Sequence, residues 1–134
     1  MTIKRMTKTD VPRSFGAFKP VGHVVIAFDN DAQATQAAEA LRASGFKDED
    51  ILQYSAVEEA EQMKELLGHA SGFAEFGHEV ALMRKYRELA SEGCGWLIVY
   101  APEHADAERV AEVARRFNAR LAEKYHRLVI EDLL

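Results

Sequence analysis

The run His23-Val-Val-Ile-Ala-Phe28, followed at once by Asp29-Asn-Asp31, decides how the chain is read. Behind the breakers Pro20 and Gly22 it offers five consecutive apolar residues, three of them β-branched, which is the pattern of a strand. It has no alternation of apolar and polar positions, so both of its faces need cover, which places it in the centre of a sheet. Asp29, Asn30 and Asp31 are N-cap candidates. Ala34, Ala37, Ala38 and Leu41 then trace the inward stripe of a helix at three- and four-residue spacing. Gly45 sits just past the last periodic residue and Phe46 follows it, the arrangement of a helix C-cap closed by an apolar contact.

Working outward, Ile51 to Ser55 reads as a shorter, more polar strand, and Ser55-Ala-Val-Glu58 supplies a Ser-x-x-Glu capping box that opens a second helix ending near Gly68. His69-Ala-Ser-Gly72 reads as a joint. A third amphipathic segment runs from about Phe73 to Ser91, with Phe76, Val80, Met83 and Leu89 among its apolar residues, until Gly93 and Gly95 break the pattern. Trp96-Leu-Ile-Val-Tyr-Ala101 is the second strong strand and stops at Pro102. Beyond it a long helix is predicted through Val110, Val113, Ala114, Phe117, Leu121 and Tyr125, and Leu128 to Glu131 is predicted as the closing strand.

The resulting order is strand, helix, strand, two helices, strand, helix, strand. Two βαβ units with the strong apolar runs at the centre predict an α+β domain of ferredoxin-like type, with a four-stranded sheet in the order 4-1-3-2 and a helical insertion at about 56–92. Gln53 and Glu131 suit half-exposed edge strands. A doubly wound parallel sheet is the alternative, because helices and strands nearly alternate. One face of the sheet takes the two crossover helices. The other is to be covered by the inserted helices, by a second subunit, or by both.

Composition places the chain among ordinary folded proteins. Its 134 residues suit one domain, and 48% hydrophobic with 29% charged residues is far from the signature of disorder. A single cysteine, Cys94, forbids an intrachain disulfide and suits a reducing, cytoplasmic setting. The apolar runs are too short to cross a bilayer, so neither secretion nor membrane insertion is expected. Residues 1–20 hold Lys4, Arg5, Lys8, Arg13 and Lys19 against Asp10, and read as a flexible basic arm before a domain at 21–134, with an anchoring stretch around Phe15 and Phe18. The rest of the chain has twelve basic and twenty-one acidic residues, a net charge of −9, which repels phosphate backbones and argues against nucleic acid as a partner.

Motifs for chemistry are sparse. Asp29 and Asp31 stand where phosphotransfer folds place paired carboxylates, but the third strand ends in Tyr100-Ala-Pro102 with no lysine or carboxylate to complete such a site, so helix capping is the better account. Glu75-x-x-His78, with Glu61, Glu65 and His69 on the preceding helix, has the spacing of a di-iron carboxylate motif. Only one such motif is present where two are needed, so Glu75 and His78 are candidate metal ligands and solvated helix faces are the competing account. Cys94 lies between two glycines with no base nearby in sequence and reads as structural. His23 and His104 flank strands and have no assigned role. Phosphate loops, nucleotide fingerprints, nucleophile elbows and zincin motifs are all missing, and no cofactor is expected. Phe73, Phe76, Trp96 and Tyr100 could line a small-molecule pocket beside the joint, or be core.

The stretch from Val24 to Ala56, an apolar strand, Asp29, an Ala-rich helix, Ala43-Ser-Gly-Phe46 and Asp50-Ile51, resembles the start of the small bacterial general stress proteins of the heat-induced type. The resemblance covers about a quarter of the chain. It implies a non-enzymatic, stress-associated protein without catalytic residues. Two functions follow as expectations. One is a non-catalytic regulatory module that forms a homo-oligomer, a dimer burying at least about 1,000 Å². The other is a small-molecule or metal-binding protein with its site between the inserted helices and the sheet.

Overall fold

The computed structural model describes residues 3–9, 13–14, 17–69 and 78–134. The expectations for Phe15, Phe73, Glu75 and Phe76 fall outside them. A two-residue hairpin, β1 (Arg13–Ser14) and β2 (Ala17–Phe18), precedes the main body of β3 (His23–Phe28), α1 (Asp31–Ala43), β4 (Ile51–Tyr54), α2 (Ala56–His69), α3 (His78–Ser91), β5 (Gly95–Tyr100), α4 (His104–Arg116), β6 (Leu121–Tyr125) and β7 (Ile130–Asp132). The class is α+β: the described residues form four α-helices and a five-stranded sheet ordered β4-β5-β3-β6-β7, with every neighbouring pair antiparallel. That pairing excludes the doubly wound parallel alternative.

β3 is central and buried along its whole length, as its unbroken apolar run requires. Its register against β5 pairs His23 with Tyr100 and Phe28 with Gly95. Because β3 and β4 both run antiparallel to β5, they are parallel to each other across it, and α1 is the crossover between them. α4 makes the corresponding crossover from β5 to β6 around β3.

Side chains alternate across the pleat. Val24, Ile26 and Phe28 pack with Leu97 and Val99 against Ala34, Ala37, Ala38 and Leu41 of α1 and Val110, Val113 and Ala114 of α4. On the opposite face Val25, Ala27, Trp96 and Ile98 meet Met63 and Leu66 of α2 and Val80, Met83, Tyr86 and Leu89 of α3, joined by Met6 and Phe18. Both faces of the sheet are therefore covered by this chain's own helices, and the open face that would call for a second subunit is already occupied.

The local signals act as expected at the helix starts. Asn30 Oδ1 accepts the Gln33 N–H at 2.8 Å, capping α1. Both halves of the Ser55–Glu58 capping box are made, Glu58 N–H to Ser55 Oγ at 3.1 Å and Ser55 N–H to Glu58 Oε1 at 2.9 Å. Gly95 is required by proximity, since a Cβ there would lie 2.7 Å from the Asn30 carbonyl oxygen and from the Asp31 Cα.

Two expectations need correction. The sheet has five strands rather than four, and the long final helix stops at Arg116. Asn118 adopts a left-handed conformation with φ of 55°, which ends the helix, and β6 follows where more helix was expected. The physical reason is an ambiguity of period. Leu121 and Tyr125 are four apart, and four residues return a side chain to the same face in a helix and in a strand alike. The strand placed at 128–131 is β7, the edge strand beyond β6, and Leu128 and Val129 lie in the exposed turn before it.

Candidate functional site

Trp96 and Tyr100 share a face of β5 but not a pocket. Four residues apart on a strand they are separated by about 13 Å. Trp96 is wholly buried, with its ring 5.2 Å from that of Tyr86 in an edge-on contact. Tyr100 instead lies beside His23, with ring centroids 5.1 Å apart, and its hydroxyl donates to the Ile3 carbonyl. His78 opens α3. Among the described residues, no three His, Cys, Asp or Glu side chains come together to hold a metal.

The remaining sequence candidates are placed as follows. Asn30 is the cap of α1, Asp31 Oδ1 accepts the Ala56 N–H at the start of α2, and Asp29 pairs with Arg120 at 3.6 Å. Arg120 also reaches Cys94 Sγ at 3.9 Å and Glu92 at 3.4 Å. The thiol is nonetheless buried, and burial outweighs the Arg120 charge, raising its pKa, so Cys94 is not an activated nucleophile. His23 and His104 do not meet. His104 pairs with Glu108 on α4, where they line an open groove of about 510 Å³ between α4, β6 and β7 that also holds Lys124, Arg115 and the His126–Glu131 pair. Its cations are already engaged, with Lys124 donating to the Pro102 carbonyl and Arg115 to that of Leu133.

The feature that departs from ordinary packing lies between α2 and the sheet. α2 turns Glu59, Met63 and Leu66 inward, and Glu59 is fully buried, with neither carboxylate oxygen hydrogen-bonded. The Tyr54 hydroxyl, which lies beside the Gln62 amide without hydrogen-bond geometry, Gln62 Oε1 and Trp96 Nε1 are also buried with no hydrogen bond made. These five atoms make up all but one, Gln33 Oε1, of the unpartnered buried side-chain polar atoms among the described residues. Each such atom costs about 1–3 kcal/mol. Tyr54 and Trp96 face each other in the β4–β5 register, and the Tyr86 hydroxyl, 2.8 Å from that of Tyr125, completes the surround.

Electrostatics follow from this burial. Desolvation raises the Glu59 pKa to about 8, so the carboxyl is mainly protonated at neutral pH. Tyr54 is pushed up to about 12, first by burial and then by Glu59. Tyr86 is raised first by burial and then by its partner Tyr125, with smaller contributions from Glu123 and Glu59. Glu58, one residue away, is held below its usual value, chiefly by the Ser55 N–H. The sequence carried a signal for Glu59: at i, i+4 and i+7 with Met63 and Leu66 it is a carboxylate on an apolar stripe, a local violation of helix patterning of the kind that marks functional sites.

Against this geometry, comparison with known proteins supplies no precedent: no family model, no curated protein and no solved structure matches the chain.

Proposed function

We propose that this chain is a non-catalytic binding module of ferredoxin-like architecture, with βαβ units flanking a helical insertion, that takes a small organic cation such as a protonated amine between α2 and the sheet. The buried, unpartnered Glu59 carboxyl is the observation that carries this reading. A carboxylate removed from water holds either a proton or a cation. The surrounding rings of Tyr54, Tyr86 and Trp96 favour an organic ammonium, which interacts well with aromatic faces, over a hydrated metal ion. Gln62 Oε1 and the Tyr54 hydroxyl are further acceptors for ammonium protons. The reading is of binding rather than turnover, with the Glu59 carboxylate as the ion-pairing partner. A stress-associated role, as the resemblance of residues 24–56 implies, and the cytoplasmic setting that a lone cysteine suits are compatible with a module that senses such a ligand.

Because the carboxyl is protonated when the site is empty, cation binding displaces its proton. Calorimetric titration of the intact protein with putrescine and with tetramethylammonium, at pH 7.0 in two buffers of different ionisation enthalpy, is expected to show about one proton released per amine bound. Glu59→Gln is expected to abolish both the binding and the release. Absence of binding to the wild-type protein, or unchanged binding by Glu59→Gln, would overturn the proposal.

A further inference from the structure

Glu59 has no exposed surface, so any ligand that reaches it needs part of its cover to move. Residues 3–9 form a strap over one side of that cover. Lys8 lies over the Tyr54 ring, 4.7 Å from its centroid, and pairs with Glu58 at 3.7 Å, while Met6 is buried in the same apolar cluster as Tyr54, Met63, Tyr86 and Trp96. Ile3 packs on Gly22 so closely that the glycine has no room for a side chain. Arg5 anchors the strap to Glu49 and Asp50, each at 3.2 Å.

The strap is fastened by a histidine. His23 Nδ1 lies 3.0 Å from the Val21 carbonyl, which can only accept, so Nδ1 carries the proton. Nε2 then accepts the Met6 N–H at 2.9 Å. Both bonds are possible only for the neutral ring in this one tautomer. A second proton would turn Nε2 into a donor facing the Met6 donor, on a ring that is 2% exposed.

We propose that residues 3–9 are a pH-released strap over the Glu59 site, fastened by the Met6–His23 hydrogen bond and opened when His23 takes up a second proton. The proposal rests on the binding reading above for what the strap covers, but not for its release. The titratable groups facing His23 are the Tyr100 phenol of β5, Tyr125 of β6, whose carbonyl holds Gly22, and Arg5 of the strap. The second proton on the His23 ring is the one that breaks the clasp. Burial, with a smaller contribution from Arg5, lowers the His23 pKa below 6.5 in the closed form. The sign follows: the neutral clasp is fully made above the ordinary histidine value and is lost as pH falls through the lowered one.

Amide hydrogen exchange at Met6, corrected for intrinsic rate, measures the strap directly, and acrylamide quenching of Trp96, the only tryptophan, measures cover over the site. Between pH 7.5 and 5.0, with far-UV circular dichroism unchanged, Met6 protection is expected to fall about tenfold or more while quenching rises. His23→Gln, whose side-chain oxygen can accept the same N–H but cannot titrate, is expected to remove the pH dependence. Arg5→Gln serves if that variant fails to fold: loss of the charge beside the ring and of the anchors to Glu49 and Asp50 both act to move the release midpoint to higher pH. Unchanged protection across the range, the same loss in His23→Gln, an unmoved midpoint in Arg5→Gln, or release that leaves Trp96 equally shielded would each overturn the proposal. Neither readout contains a ligand, so failure of amine binding and failure of the strap are separate results.

Discussion

The two faces of the central sheet are built on different rules. On the α1/α4 face, alanines, valines and leucines interlock around Val24, Ile26 and Phe28, and the one buried charged side chain among the described residues there, Lys124 beside Val24, donates to the Pro102 carbonyl. On the α2/α3 face, the same strands support three tyrosines, the tryptophan, three methionines and a buried glutamate with neither oxygen hydrogen-bonded. Dense packing of small and branched side chains specifies one arrangement, whereas methionines adapt to irregular space and buried unpaired polar groups lower stability. The two faces thus divide the labour: one is packed for stability, and the other carries a buried carboxyl that lowers it.

Substitutions can break that comparison or sharpen it. The largest effect is expected on the α1/α4 face, where Leu41→Ala should cost about 2–5 kcal/mol in urea unfolding, because nothing mobile is present to fill the space. A smaller change of opposite sign is expected on the other face: Glu59→Leu should stabilise by about 1–3 kcal/mol, since it removes a buried polar group that has no partner. Wild-type stability should also depend on pH through this residue. Glu59 has a pKa of about 8 in the folded protein and about 4.5 when unfolded, so folding takes up a proton between those values. Stability is then greatest below about pH 4.5 with respect to this group, falls by up to about 1.4 kcal/mol per unit as pH rises toward 8, and levels off above it. Urea midpoints for the wild type and Glu59→Leu at pH 5.5, 7 and 8.5 should diverge accordingly, and parallel profiles would show that the carboxyl is not buried alone. The smallest effect is expected at the boundary between solvent and site, where Ser55→Ala should cost about 1 kcal/mol by removing half of the α2 capping box, with little pH dependence above pH 5.

The α1/α4 face was legible in the sequence because it obeys simple periods. Ala34, Ala37, Ala38 and Leu41 point inward as their spacing requires, and the unbroken run of β3 is central. β6 was hidden because Leu121 and Tyr125 satisfy both periods, and the left-handed turn at Asn118 that separates helix from strand leaves only a faint trace in sequence. Of the aromatic residues read as a pocket lining, Trp96 lies buried between the helices and the sheet and Tyr100 lies beside His23. Glu59 is a single carboxylate among apolar neighbours, with none of the paired spacing that makes Glu61 and Glu65 conspicuous in the sequence. The His23 clasp joins residues seventeen apart in a chain segment with no periodicity. Arg120 beside Cys94 is likewise a product of topology, brought there by the β3–β6 pairing.

One corner of the molecule keeps these two faces from being independent. Asp31 is the first residue of α1 on one side of the sheet, and its carboxylate holds the leading N–H of α2 on the other, while Gly95 lets the start of β5 slide in against the same turn. A single side chain thus rivets the rigid layer to the adaptable one at the sheet's end. The start of α2 and the start of α1 are thereby held in fixed relation across the end of the sheet.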